Sequence, residues 1–575
     1  MTAGLDRATA IDTCAATLRA AFLGYNAAFR AITRRAGRHF ENRDWHDGQL
    51  DAARRIDLYD HHVDETVTAV ARLLADEVRD RGLWRDIKAR FAALIADLPD
   101  VEFAKTYFSS VSRRTFGTVG IEPELEFQGE ETIPLRNTDG PVVGRNYTNR
   151  GDLAAMFDAL LADYAWNVPF AHRRDCAGYI AERVTAHYRD HEKADAVLCV
   201  DMIAPVFYRD TRAYVIGKVT GWTRSTPIAI AFANTEGGIV VDAVILSERG
   251  VRVMFGFARA YFHVDLDPVG PAVVFLRKVM PRHTVHELFT VLGRAKQGKT
   301  ERFRALARHL SFSTDRFMVA PGTKGMVMAV FTLPSFDVVF KLMRDRFAPP
   351  KDISHREVER RYQLVRRSNK SGRLVDAQEF RMLRLPRERF EDALLAELLT
   401  ECGDRVAVDG ASVVLRHVWI ERRLRPLDLY LQEVGERDAA RAVVDYGQAL
   451  RDLAATNVFP GDLLTKNFGV STMGHVIFYD YDEVVPLIDC VFRDLPVAVH
   501  PDDEISAEPW FSVGPNDVFP EEFARFLGFT AAQLAVFREA HGEVLTAAFW
   551  RGLQRRHLNG EVVEVLPYLP RPARP

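Results

Sequence analysis

The sequence predicts an α+β protein of two domains, and three observations predict it. Apolar residues recur at helical spacing from Ala8 to about Leu98 and from Leu153 to Tyr188, then alternate as in an antiparallel sheet between about Val197 and Asp267. The cycle then repeats, with helical spacing at Thr284–Leu310, alternation at Arg316–Asp345, and mainly helical spacing beyond Ala439. The 575 residues exceed what one hydrophobic core usually organises. Together these place a boundary near Ser311, with a mixed helical and antiparallel-sheet domain over 1–310 and a second domain over 311–575.

In chain order, LRAAFLGYNAAFRAI and ETVTAVARLLADEV are amphipathic helices. PIAIAF, GGIVVDAVIL and VRVMFGFARAYFHV read as strands separated by turn residues such as Asn234 to Gly238. In the second domain, RFMVAPGTKGMVMAVFTLPSFDVVFKLMRD reads as strand, glycine turn, strand, turn, strand, and REVERRYQLVRRSNKSGRLVDAQEF as a helical stretch. The Pro-rich end, Pro567 to Pro575, is expected to fray.

Composition narrows the function. An apolar fraction of 47% supplies packed cores, and a net charge of −3 gives no electrostatic case for nucleic acid or an anionic membrane. The five cysteines are far apart and form no CxxC pair, which excludes a disulfide framework and a cysteine zinc site and fits a reducing compartment. Neither a leader nor a membrane-length apolar run is evident, so a cytoplasmic protein without membrane or nucleic-acid partners is expected.

The chemistry is written in Phe459 to Glu483, FPGDLLTKNFGVSTMGHVIFYDYDE. Asp462 and Asn467 have four residues between them, the spacing at which a protein-kinase catalytic loop places the acid that orients a substrate hydroxyl and the amide that holds magnesium. A hairpin turning at Met473 and Gly474 then delivers Asp480 as the second metal ligand. Upstream, the turn Ala320, Pro321, Gly322, Thr323, Lys324, Gly325, Met326 would bring backbone close to ATP phosphates, and Lys341 on the strand VVFKLM would hold those phosphates. Glycine turn, strand lysine, Asp/Asn loop and metal acid stand in the order of a bilobal protein-kinase-like domain, with a small lobe at about 311–420 and a large lobe at about 421–575. Asp376 and Glu379 are candidates for the acid that pairs the lysine, or for a place beside the transferred group; as plain residues they would be an exposed helix face.

Two other motifs compete. GRAKQGKT at Gly293–Thr300 fits the P-loop pattern, but the preceding RHTVHELFTVLG has helical rather than strand spacing, so a helix–turn–helix connection capped at Gly293 is expected. His61 and His62 are adjacent on a predicted helix and point to different sides, which disfavours a shared metal.

The strings KGMVMAVFTLPSFDVVFK, GRLVDAQEF, HVWIERRLRPL, NVFPGDLLTKNFG, VIFYDYDE and SAEPWFSVGPNDVFPEEF resemble the isocitrate dehydrogenase kinase/phosphatase family over nearly the whole length. The resemblance implies an N-terminal regulatory domain and a C-terminal kinase-like domain whose one active site phosphorylates a serine of isocitrate dehydrogenase and removes that phosphate. It also implies control of flux between the tricarboxylic acid cycle and the glyoxylate bypass, with AMP or ADP as effector; a homodimer stays open. Carried over by position, the ATP turn is Ala320–Met326, the ATP lysine Lys341, the catalytic residues Asp462 and Asp376, and the metal ligands Asn467 and Asp480, with Asp482 and Glu483 beside metal or water. DYD replaces the flexible DFG of ordinary kinases, and Gly461 stands where an arginine often receives an activation-loop phosphate, which points away from control by loop phosphorylation. A small-molecule kinase of the aminoglycoside-phosphotransferase type and a nucleotide-sensing pseudokinase are the other classes that share these motifs.

Overall fold

The computed structural model describes residues 6–127, 144–164, 166–189, 195–256, 262–368, 371–496 and 511–571. They form two units, one running to Gly256, continuing to Ser313 and including the chain from Leu566, the other running from Thr314 to Val565.

The first unit begins with four helices, α1 (Arg7–Asn42), α2 (Trp45–Leu74), α3 (Arg81–Ile95) and α4 (Val101–Phe116). Their apolar stripes meet in an aromatic core that includes Phe22, Trp84, Phe91, Tyr107 and Phe108. His61 and His62 lie on α2, and both reach Glu65, at 3.1 and 3.9 Å, instead of pointing to different sides.

A six-stranded antiparallel sheet follows. It consists of β1 (Gly144–Thr148), β2 (Val197–Ile203), β3 (Phe207–Arg209), β4 (Arg212–Gly221), β5 (Ser225–Thr235) and β6 (Gly238–Ile245), in the order β1-β2-β4-β5-β6 with β3 beside β4. Helices α5 (Leu153–Ala162) and α6 (Arg173–Arg189) pack on one face. On the other lie α7 (Glu248–Phe255), α8 (Gly270–Val279) and α9 (Val285–Val291). Coverage on both faces explains why PIAIAF is apolar at every position: Ile228, Ile230 and Phe232 enter one core, Ala229 and Ala231 the other.

Two sequence expectations change here and one holds. VRVMF is the helix α7, not a strand, because Ser247 caps it by accepting from the Gly250 amide at 3.0 Å and Gly256 ends it at φ +71°. The continuation of that expected strand at 257–261 lies outside the described residues. GRAKQGKT is the junction of α9 with α10 (Ala295–Phe312), as its spacing predicts; Gly298 sits inside α10, where a Cβ would come within 2.2 Å of the Thr290 hydroxyl. Finally, the C-terminal segment is ordered rather than frayed as far as it is described. The Tyr568 hydroxyl donates to Asp242 Oδ2 at 2.8 Å, the Arg571 amide donates to the Asp242 carbonyl at 2.6 Å, and the Arg571 guanidinium lies 4.1 Å from the Tyr179 ring.

The second unit carries another six-stranded sheet. Its members are β7 (Met318–Val319), β8 (Met328–Leu333), β9 (Phe336–Met343), β10 (Gln378–Pro386), β11 (Val406–Asp409) and β12 (Ser412–Arg422), ordered β10-β12-β9-β8-β7 with β11 beside β12. Helix α11 (His355–Ser368) covers one face through Val358, Tyr362 and Val365, while Phe317, Phe331, Phe340 and Phe390 pack together on the opposite face. After α12 (Asp392–Glu401), β13 (Arg425–Pro426) and α13 (Leu427–Glu433), the long α14 (Glu436–Ala455) leads to β14 (Val458–Phe459). The hairpin β15 (Phe468–Val470) and β16 (Val476–Phe478) forms where the sequence places it, with Gly474 at φ +77° in its turn. Helices Ala531–His541 and Ala547–Leu558 close the unit.

Candidate phosphoryl-transfer site

Lys341 occupies the central strand β9, directly opposite Trp419 of β12 and Val330 of β8. Its ammonium is buried, at 5% exposure, and lies 2.8 Å from Glu421 Oε2, itself at 1%. It also donates to the Tyr479 carbonyl at 2.6 Å and sits 5.2 Å from the Tyr479 ring. The register explains the acid. Glu421 stands opposite Val339, so it is the diagonal, same-face neighbour of Lys341 on the adjacent strand.

The sequence offers Asp376 or Glu379 as the lysine's acid, on a helix; the fold corrects both the partner and the element. The helical stretch ends with α11 at Ser368, and Glu379 lies in β10 opposite Trp419, two strands or about 10 Å from Lys341. There it meets His417 at 3.0 Å and Arg381 at 2.6 Å. Burial opposes its ionisation, but those two partners hold it far below the usual glutamate range. Asp376 sits in the segment just before β10, accepting from Gln378 Nε2 at 2.9 Å. That segment runs along β16: Leu374 bridges Phe478, and the Tyr481 hydroxyl donates to the Val375 carbonyl at 2.8 Å.

Asp462, Asn467 and Asp480 are joined by short links. Asp462 Oδ1 accepts from the Leu464 amide at 2.9 Å, which fixes its carboxylate. Asn467 Nδ2 approaches the Asp462 carbonyl at 3.4 Å, and the Asn467 carbonyl accepts from the Tyr479 amide at 3.1 Å. Tyr479 is therefore gripped on both sides, by Asn467 and by Lys341, immediately before Asp480. Burial, and then the neighbouring Asp482 carboxylate, push the Asp480 carboxyl up to about 7, against the pull of Lys341. A divalent cation takes one or two protein carboxylates, and Asp480 and Asp482 are the carboxyls here that could supply them.

The turn from Ala320 to Met326 joins β7 to β8, with Pro321 to Gly325 exposed. Gly322 has φ +120°, and a Cβ on it would meet Pro426, whose strand β13 pairs with β15 just beyond Asn467. Lys324 turns to α12, pairing with Glu397 and Glu401 at 3.0 Å each, so its ammonium is engaged by that helix.

Sequence reasoning missed Glu421, Lys351 and Arg361. Glu421 had a signal, a charged residue inside the apolar strand HVWIE. Lys351 and Arg361 had none, because they act on Asp482 and Glu483 through space: Lys351 Nζ lies 3.1 Å from Asp482 Oδ2 and pairs with Glu483, and Arg361 donates to the Asp482 carbonyl.

A strand lysine, a buried acid, an Asp/Asn loop and a metal-suited acidic segment between a six-stranded sheet and a helical body define a protein-kinase-like phosphotransferase. Comparison with known proteins makes this particular. Residues 315–570 match the isocitrate dehydrogenase kinase/phosphatase (AceK) kinase domain, and 15–314 match the regulatory domain of the same family. An isocitrate dehydrogenase kinase/phosphatase of Anaeromyxobacter sp. (strain Fw109-5) is 42% identical over 96% of both chains. Those of Xanthomonas euvesicatoria pv. vesicatoria (strain 85-10) and Anaeromyxobacter dehalogenans (strain 2CP-C) are each 44% identical, over 95% and 96% of both chains. The chain belongs to the isocitrate dehydrogenase kinase/phosphatase family. Membership makes it an enzyme and implies use of ATP and a metal. Among the described residues, no helix is long and apolar enough to cross a membrane.

Proposed function

We propose that the chain phosphorylates and dephosphorylates a serine of isocitrate dehydrogenase at one site, and so sets flux between the tricarboxylic acid cycle and the glyoxylate bypass. Family membership supports this over a small-molecule kinase or a pseudokinase. The observation that carries the single-site reading is the chain of contacts from Glu421 through Lys341 to the Tyr479 carbonyl, which seats Asp480.

In the forward direction Lys341 and the Ala320–Met326 backbone hold the ATP phosphates, and Asn467 and Asp480 hold magnesium, which neutralises charge on the transferring group when bound. Asp462 orients the serine hydroxyl and is kept in place by the Leu464 amide. In the reverse direction Asp376 or Asp462 activates water at the same site, with nucleotide still bound. AMP or ADP shifts the balance through residues 1–310, the regulatory domain, while 311–575 carry the chemistry.

The test is transfer of label from ATP to purified isocitrate dehydrogenase, followed by a chase with unlabelled ADP or AMP. Label that appears and is then released supports the reading; no labelling sinks it. Asp480→Ala is expected to lower both activities by at least about 100-fold. Phosphatase activity surviving in that variant would require a second catalytic site.

A further inference from the structure

In an ordinary protein kinase the helix after the lysine strand supplies the lysine's acid, so its position switches the nucleotide grip. Here that acid is Glu421, built into the sheet one strand away from Lys341. Helix α11 grips something else. Its Tyr362 packs on Tyr481 with ring centroids 5.2 Å apart, and its Arg361 donates to the Asp482 carbonyl while keeping Glu357 at 3.3 Å. Lys351, in the approach to α11, reaches Asp482 and Glu483 with both carboxylates on one ammonium. Burial disfavours that ammonium's charge, yet Glu483 and Asp482 raise its pKa. The start of the helix is tied to the sheet, His355 Nε2 lying 2.8 Å from the Arg344 carbonyl.

We propose that Lys351 and Arg361 are positioning residues for the acidic segment Asp480–Glu483, so that α11 governs the metal-binding side of the site and leaves the lysine's grip to the sheet. This rests on the assignment of Asp480 as a metal ligand. Lys351 compensates the charge of Asp482 and Glu483, of which Asp482 lies against Asp480. Without it, two uncompensated carboxylates are free to turn toward a divalent cation, which then binds more tightly but in a geometry less suited to transfer. Affinity for the cation and turnover should therefore move in opposite directions, whereas general damage to the site weakens both.

The experiment uses the full chain, with Mn²⁺ as the probe, followed by electron paramagnetic resonance without nucleotide, alongside label transfer from ATP and a thermal melt. Lys351→Met is expected to lower kcat by about 10- to 100-fold with the KM for ATP changed less than about 3-fold, and to bind Mn²⁺ several-fold more tightly. Lys351→Arg restores most of the turnover, and Arg361→Met reproduces the loss of kcat with less effect on Mn²⁺ because it removes a contact to a carbonyl. Unchanged kcat in folded Lys351→Met, or Mn²⁺ binding weakened together with kcat, overturns the proposal. Asp480→Ala separates the two levels: if it binds Mn²⁺ and transfers phosphate normally, the metal assignment is at fault and not the role of α11.

Discussion

Gly461, immediately before Asp462, has φ +79°, and a Cβ there would fall 2.4 Å from the Glu483 carbonyl. The position that gives ordinary kinases an arginine is thus closed to any side chain. Gly461→Ala is expected to cost at least about 1–2 kcal/mol from the backbone conformation alone. Because the collision is with the acidic segment, phosphoryl transfer should fall by more than stability does; denaturant titration beside a transfer assay measures both. Glu421→Ala leaves a buried ammonium without its acid and is expected to destabilise the second unit by about 3–5 kcal/mol, read as a lowered denaturation midpoint. At this scale the sequence displays residues whose spacing along the chain is the signal, such as Asp462 and Asn467. It hides those that meet by register or through space: Glu421 is 80 residues from Lys341, and only the pairing of Glu421 with Val339 makes them neighbours.

Among elements, the hairpin that delivers Asp480 is anchored from behind by α14. Arg373, buried beside β16, bonds Asp445 at 2.8 and 3.1 Å, Asp452 at 2.7 Å and the Val476 carbonyl at 3.0 Å. Burial alone would favour a neutral Asp445, but the Arg373 charge, with His475, holds it far below the usual aspartate range. Between about pH 5 and 3 the unfolded chain therefore takes up a proton that the folded one refuses, so this stabilisation is complete at neutral pH and lost as acid is added. Asp445→Asn should be less stable at pH 7 and should lose less further stability over that acid range than the parent, measured by urea unfolding at stepped pH. Periodicity exposed most elements, because α1 to α4 and β8 to β9 bury one face or alternate. It misread α7, where Val, Met and Phe favour a strand locally but the Ser247 cap and packing under the sheet decide for helix. Glu379 was misplaced for a related reason: its charged neighbours suit an exposed helix, whereas β10 pairs them across to His417.

For the whole molecule, the chain leaves the first unit after Ser313, builds the second, and comes back at Leu566. The returning segment is not a loose end, since Tyr568 and Arg571 both hold Asp242, which Arg212 also meets at 2.8 Å. Deleting 566–575 should lower the stability of the first unit by about 1–3 kcal/mol, from the two lost hydrogen bonds and the exposed ring, without touching the transfer site. Calorimetry and hydrogen exchange on β6 check this. Composition could not reveal it, because a proline-rich stretch with few apolar residues reads as tail wherever it lands.

That return has a consequence for how the protein is made. A ribosome delivers Tyr568 only after all of 314–565 has emerged, so the first unit, although begun earliest, waits through synthesis of the entire second unit for its final piece. Until then Asp242 and the neighbouring Tyr214 ring lack the partner that covers them. A nascent chain paused before residue 566 should accordingly protect β6 from exchange less than the released protein does, and a synthetic peptide of residues 566–571 should restore that protection when added to it.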